Sequence, residues 1–152
     1  MRGALDALGA QRSEHGVRAI EDPRLVERLT SEQVCLDVCP TSNVQLRVVP
    51  SLHDHPLARL VEAGVAVSLN ADDPLMFGSG LLQEYELARD VLGLDDETLA
   101  AIAATSIRAS GAPFSVKSAA LEGIDRWLRG ASPVTSQPSI SGIGLQGGGS
   151  PI

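Results

Sequence analysis

Apolar runs and amphipathic segments alternate along the first two thirds of the chain. Residues 34–39 and 65–69 are near-continuous apolar runs, which is typical of strands that are covered on both faces. Amphipathic segments with helical spacing begin at Asp22-Pro23 and at His55-Pro56, and another covers residues 81–92. This alternation predicts parallel strands that are joined by right-handed crossovers through helices.

The ends of the predicted helices carry residues with known end preferences. Asp22 offers an N-cap, Pro23 suits the first turn, and Gly64 stops the second helix. The predicted inner faces carry Leu25, Val26 and Leu29 in the first helix and Leu57, Leu60 and Val61 in the second. Each helix is therefore expected to pack on the sheet through one apolar stripe.

Two further helices are predicted near the end of the chain, with no strand-like run between them. The first begins at Asp95 and ends at Ser110-Gly111, and the second begins at Ser115 and ends before Gly130. Their inward stripes are Leu99, Ile102, Ala103 and Ile107, then Leu121, Ile124, Trp127 and Leu128. We expect both stripes to pack in the core rather than to bind a partner.

Length, composition and charge narrow the classes of protein and partner. At 152 residues the chain suits one domain of ~100–200 residues, but it is shorter than the ~250 residues of a closed eight-stranded barrel. A net charge of −7 argues against a nucleic-acid partner, because such proteins usually carry a clustered basic face. No apolar run approaches the ~18 residues of a membrane span, and no signal peptide is recognisable. We therefore expect neither nucleic-acid nor membrane partners, and a cytoplasmic location.

Residues 131–152 differ from the rest of the chain. They contain no charged side chain and thirteen Gly, Ser or Pro residues, which leaves too few core formers to offset chain entropy. We predict one domain over residues 1–130 and a disordered tail over residues 131–152.

The two cysteines, Cys35 and Cys39, lie on one predicted strand. Their even spacing places them on one face but ~13 Å apart at the usual rise per residue. This distance exceeds the Cα limit of ~7 Å for a disulfide. Two buried free thiols are expected.

Polar residues follow the two predicted strands. Asp72 and Asp73 lie three and four residues after the run 65–69, and Pro74 prevents the strand from continuing. Two adjacent carboxylates at a strand end indicate either a site with a cation or several donors, or a turn in which an aspartate caps the next helix. Asp37 lies inside an apolar run and needs a buried partner, which the sequence does not identify.

Three strand-end segments together resemble one family. They are residues 14–19 (Glu-His-Gly-Val-Arg-Ala), residues 37–43 (Asp-Val-Cys-Pro-Thr-Ser-Asn) and residues 68–74 (Ser-Leu-Asn-Ala-Asp-Asp-Pro). Their order and spacing resemble the C-terminal strand-end motifs of the adenosine deaminase family, zinc hydrolases on a (β/α)₈ barrel. The resemblance covers about residues 2–130. It implies an α/β fold, namely the C-terminal part of a barrel with about three βα units and two C-terminal helices.

The resemblance also implies roles for individual residues. Asp72 would be the carboxylate ligand of a Zn²⁺ ion, Asp73 would hydrogen-bond the purine ring, and His15 would orient and stabilise the attacking hydroxide. The implied reaction is the hydrolytic deamination of adenosine, a small-molecule purine nucleoside, to inosine and ammonia. In the family the zinc-binding histidines and the proton-donating glutamate precede this segment. The isolated chain is therefore expected to be inactive and to need a complementary N-terminal half.

Other interpretations stay open on the sequence alone. The chain could be a non-catalytic βα fragment that associates through exposed sheet edges, or its substrate could be adenine or a modified nucleoside.

Thr41, Ser42 and Asn43 are expected to cap or turn the backbone rather than to contact substrate. The His53-Asp54-His55 segment has a metal-ligand spacing, but it precedes a helix in a loop and is not expected to bind the catalytic zinc. Ser13-Glu14 replaces the family's usual apolar-glycine pair before His15.

Overall fold

A computed structural model describes residues 1–130, and the predicted tail lies outside the described residues. Its centre is a three-stranded parallel sheet in the order β1 (Arg12–Glu14), β2 (Cys35–Val38) and β3 (Val67–Leu69). Arg12 lies opposite Cys35, and Leu36 lies opposite Val67. The predicted α/β class with parallel strands is confirmed, although β2 and β3 are each shorter than the apolar runs that contain them.

Helices connect the strands and continue after the sheet. They are α1 (Arg2–Leu8), a 3₁₀ helix (Gly16–Glu21), α2 (Pro23–Ser31), α3 (Pro40–Gln45), α4 (Leu57–Glu62), α5 (Pro74–Phe77), α6 (Leu81–Asp90), α7 (Asp96–Arg108) and α8 (Phe114–Leu128). The sequence did not predict α1, α3, α5 or the 3₁₀ helix. Three of these elements have at most six residues, too few for a helical period to be recognised.

Several predicted helix ends are present. Asp22 accepts a hydrogen bond from the Leu25 amide at 3.3 Å, and Asp95 accepts one from the Thr98 amide at 2.8 Å. Both side chains satisfy amides that the first turn of a helix leaves without a partner. Gly64 follows α4 with a φ of 78°, a left-handed conformation that favours glycine.

The hydrophobic core lies between the sheet and the helices that cross it. Leu29 of α2 and Leu57 and Leu60 of α4 are fully buried, as is Leu36 of β2. α7 packs on β3 and contributes Leu99 and Ile102 to the same core. Every residue of β2 and β3 is buried, as expected for strands covered on both faces.

The prediction that the α8 stripe would lie in the core is wrong. No residue of α8 is buried, and the side chain of Trp127 is 47% exposed. The physical reason is that α8 packs mainly on α7, so only one side of the helix is covered. Its apolar residues form one wall of an open groove of about 520 Å³ together with α6 and α7. In residues 1–130, no helix is long and apolar enough to span a membrane.

Candidate active site

A polar pocket of about 320 Å³ lies at the carboxyl ends of the three strands. Its wall consists of Arg12, Glu14, His15, Asp37, Cys39, Asn70, Ala71 and Asp72. His15 directly follows β1, and Asp72 lies three residues beyond β3. Because parallel strands bring their carboxyl ends to one edge of the sheet, two residues far apart in sequence face a common space.

His15 occupies a sharp turn at the end of β1. Its φ is 55°, an uncommon left-handed conformation for a residue with a side chain, and its amide donates to the Asp37 carbonyl at 3.1 Å. Gly16 follows, and a Cβ there would lie 2.6 Å from Cε of Met1 and 2.8 Å from Cδ2 of the buried Leu36. The turn therefore requires glycine next to the histidine, and it presents an exposed imidazole to the pocket.

Asp72 and Asp73 occupy different environments. Asp72 lines the pocket, and its Oδ1 accepts a hydrogen bond from the Asp73 amide at 2.8 Å. Asp73 is exposed, and its Oδ1 accepts from the Leu75 amide at 2.8 Å, which caps α5. The structure thus brings His15 and Asp72 to one pocket, whereas Asp73 is a helix cap outside the pocket wall.

The partner of the buried Asp37 is Arg12, whose own side chain is 35% exposed. The guanidinium donates to both carboxylate oxygens of Asp37 at 2.6 Å. This hydrogen bonding to Asp37 raises the pKa of Arg12 above its ordinary value. The pair crosses from β1 to β2, so the sheet register, rather than any local sequence pattern, determines which cation Asp37 meets.

Two residues at the end of β3 extend this pair. The Asn70 amide nitrogen donates to Asp37 Oδ1 at 3.1 Å and to Ser68 Oγ at 3.0 Å. Arg12 also donates to Ser68 Oγ at 3.3 Å. The sequence placed Ser68 and Asn70 in the third strand-end segment without a role for either, and it did not single out Arg12. The only signal was the charged Asp37 within an apolar run, which indicates a partner but does not identify it.

Cys39 lies in the pocket wall, but its environment suppresses thiol chemistry. Burial, with the nearby Asp72 carboxylate as the next largest contribution, raises the pKa of the Cys39 thiol to about 12. A thiol of this pKa stays protonated at neutral pH and is a poor nucleophile and metal ligand. Cys35 and Cys39 are both free and buried, as predicted.

Glu84 of α6 is a buried carboxylate that the sequence analysis did not single out. Its side chain is 1% exposed and accepts a hydrogen bond from the Thr41 amide at the start of α3, at 3.2 Å. Thr41, Ser42 and Asn43 lie within α3 rather than in a turn. Asn43 is buried and turned towards His55 rather than towards the pocket.

His55 is a buried histidine whose ring nitrogens are both engaged. The Leu57 amide donates to Nδ1 at 3.2 Å, which leaves Nε2 as the donor to Asn43 Oδ1 at 3.1 Å. Burial lowers the pKa of His55 to about 4, so the ring is neutral at neutral pH. His53, two residues earlier, is exposed. These environments give His55 a structural role in holding the loop before α4 against α3.

Comparisons with known proteins agree on one family. A family model described as adenosine deaminase matches residues 1–127. A putative adenosine/adenine deaminase from Streptomyces coelicolor is 53% identical over 128 residues, which are 84% of this chain and 37% of that protein. The crystal structure of an adenine deaminase from Arthrobacter aurescens matches with a TM-score of 0.81 and 41% identity, over 84% of this chain and 39% of that one. A zinc-bound amidohydrolase from Burkholderia ambifaria shares the fold, with a TM-score of 0.74 and 21% identity over 86% of this chain and 38% of that one.

The parallel sheet and its polar carboxyl edge correspond to part of a (β/α)₈-barrel enzyme. The chain belongs to the adenosine deaminase family. It spans less than two fifths of the length of these relatives.

Proposed function

We propose that the polar pocket contributes to the hydrolytic deamination of a 6-aminopurine, either adenosine or the free base adenine. The observation that carries this proposal is the placement of His15 and Asp72, from the ends of β1 and β3, around one pocket. In the reaction, a water oxygen bonds to C6, the bond from C6 to the exocyclic nitrogen breaks, and ammonia leaves. The Streptomyces relative is named an adenosine/adenine deaminase and the Arthrobacter relative an adenine deaminase, so these names support both substrates.

The residues of this chain that would act in the reaction are few. His15 offers an imidazole that orients the attacking water, and Asp72 offers a carboxylate across the pocket. Asp73 is proposed to hydrogen-bond the purine ring through Oδ2, because Oδ1 already accepts the Leu75 amide at the start of α5. Membership of the family and the zinc-bound structural neighbour support a zinc-dependent reaction.

The donor set of the described residues does not form a zinc site by itself. No group of three or more His, Cys, Asp or Glu side chains in residues 1–130 is placed to hold a metal ion. A catalytic zinc usually has about three protein ligands and, when bound, activates water for nucleophilic attack. We therefore propose that Asp72 supplies one ligand and that the others come from polypeptide beyond residues 1–130.

A second interpretation is a βα association module without catalysis. Within the described residues, β1 and β3 each pair only with β2, so each has an unpaired edge. Such edges recruit further strands. The two interpretations predict different behaviour once the remaining barrel strands are supplied, because only the enzymatic one predicts turnover.

The test is a chimera in which residues 1–127 replace the matched segment of the Streptomyces coelicolor relative. We expect zinc-dependent release of ammonia from adenine or adenosine, and none from the 152-residue chain alone. Asp72→Asn in the chimera should lose zinc and turnover together. Asp73→Asn, the matched control at the next position, should keep zinc but lower turnover or substrate affinity, because the amide retains the shape and removes the charge.

The zinc content of each purified variant and its steady-state kinetics provide the readouts. An Asp72→Asn chimera with full zinc and full activity would exclude the proposed ligand role. A folded chimera that binds zinc but releases no ammonia from either purine would favour the association module. Activity of the 152-residue chain alone would show that the described residues and the tail suffice.

A further inference from the structure

One side chain on the central strand connects both halves of the candidate site. Asp37 binds Arg12 of β1 through two short hydrogen bonds and accepts a third from Asn70 after β3. Its backbone carbonyl also accepts the His15 amide at 3.1 Å. Arg12 is three residues before His15, and Asn70 is two residues before Asp72. The two side-chain partners of Asp37 therefore belong to the segments that carry the proposed site residues.

The environment makes this connection rigid. The Asp37 side chain is 9% exposed, and in residues 1–130 no buried side-chain nitrogen or oxygen lacks a hydrogen-bond partner. A bidentate guanidinium–carboxylate pair fixes orientation as well as distance. Ser68 Oγ accepts hydrogen bonds from both Arg12 and Asn70 and so connects them. A substitution at Arg12 is therefore expected to alter the hydrogen bonds of Asn70, and the reverse.

The left-handed turn at His15 needs such a restraint. A non-glycine residue with a φ of 55° is held there by its surroundings rather than by its own preference. The Asp37 carbonyl holds the His15 amide, while the Asp37 carboxylate holds β1 through Arg12. The same carboxylate fixes the segment that leads to Asp72.

We propose that Asp37 is a positioning residue that sets the relative placement of His15 and Asp72 through Arg12 and Asn70. The proposed function enters only through the chemical roles of His15 and Asp72, the two residues that Asp37 would position. The restraint itself is a property of the 152-residue chain and can be measured without turnover.

The test is reciprocal and uses amide signals in NMR spectra of the full chain. The His15 amide reports on one side of the site, and the Asp73 amide, bonded to Asp72 Oδ1 at 2.8 Å, reports on the other. Asn70→Ala should shift the His15 signal, although Asn70 forms no hydrogen bond with His15. Arg12→Lys, which keeps the charge but not the two-pronged geometry, should shift the Asp73 signal.

Hydrogen exchange provides a second measurement on the same samples. The His15 amide should exchange about tenfold faster in Asn70→Ala. The substitution removes the hydrogen bond from Asn70 to Asp37, which lowers the free energy of local opening by about the net value of one hydrogen bond. The control is Arg89→Gln, which removes the exposed pair between Arg89 and Asp96 on α6 and α7 and should leave both amides unchanged. Asp37→Asn should shift both the His15 and the Asp73 amide signals. If that variant unfolds the chain, the double variant Arg12→Gln/Asp37→Asn, which keeps the hydrogen-bonding shape without the charges, is measured instead.

The outcomes separate this proposal from the proposed function. The positioning role would be overturned if Asn70→Ala left the His15 signal unchanged and Arg12→Lys left the Asp73 signal unchanged. That conclusion would hold even if the chimera deaminates purines. Reciprocal shifts in a chain whose chimera is inactive would retain the positioning role and reject the deaminase activity.

Discussion

The central sheet and helix α8 differ in how far their residues are buried. At the sheet, the strand residues of β2 and β3 are buried and Asp37 has several polar partners. At α8, no residue is buried and Trp127 borders an open apolar groove. The groove is larger than the polar pocket, about 520 Å³ against about 320 Å³. The groove is lined mainly by apolar residues, with Glu86 and Arg89 as its charged members, whereas His15 and Asp72 lie in the smaller pocket.

The largest expected effect compares one substitution in the two regions. Leu60→Ala removes a fully buried side chain of α4 and should lower the free energy of unfolding by about 2–5 kcal/mol. Leu128→Ala on α8 removes a side chain that is 43% exposed and should cost about 1 kcal/mol or less. Equilibrium urea unfolding of both variants gives the two values. Equal losses would show that α8 is as well packed as the core.

An intermediate effect concerns the pH dependence of stability around His55. The pKa of His55 is about 4 in the folded chain against an ordinary value of 6.5, so the unfolded chain binds this proton more tightly. The stability that the neutral His55 ring contributes is complete above about pH 6.5 and is lost as the pH falls towards 4, by roughly 3 kcal/mol.

His55→Gln should remove this part of the pH dependence, whereas His53→Gln at the exposed neighbour should retain it. Urea unfolding at several pH values from 4 to 7 measures the difference in slope between the two variants. Identical slopes would mean that folding does not lower the pKa of His55.

The smallest effect compares two glycines. Gly16→Ala would place a Cβ 2.8 Å from Leu36 Cδ2 and should destabilise the chain by about 1 kcal/mol or more. Gly123→Ala lies in α8, where nothing stands within 4 Å of the new Cβ, and should stabilise it by about 0.5–1 kcal/mol. Thermal unfolding should therefore shift in opposite directions. A shared direction would contradict the contrast between a closed sheet and an open helix.

The sequence identified those features that depend on nearby residues. The apolar runs that contain β2 and β3 and the caps at Asp22 and Asp95 were predicted, because strand burial and first-turn amides act over a few positions. The partner of Asp37 was not, since Arg12 lies 25 residues away and meets it only through the strand register. The exposed face of α8 was also missed, because a periodic stripe shows which side is apolar but not whether anything covers it.

In the candidate site, too, some features could be predicted from nearby residues and others depend on the folded structure. The motifs placed His15 and Asp72 at strand ends, and the structure puts both around one pocket. The sequence left two interpretations of the Asp72-Asp73 pair, a ligand site or a helix cap. The structure shows the cap at Asp73, a choice that depends on where α5 begins. Its role towards substrate stays a prediction.

The parallel sheet also determines the order in which the chain can assemble. Asp37 pairs with Arg12 across 25 residues and with Asn70 across 33 residues, so each of these segments must close before its bond forms, and both must close before the cluster is complete. Contacts between α7 and α8 are close in sequence and carry a smaller closure entropy. During refolding, α7 and α8 should therefore gain protection first. The polar cluster around Asp37 should form late, in the same step that fixes the sheet.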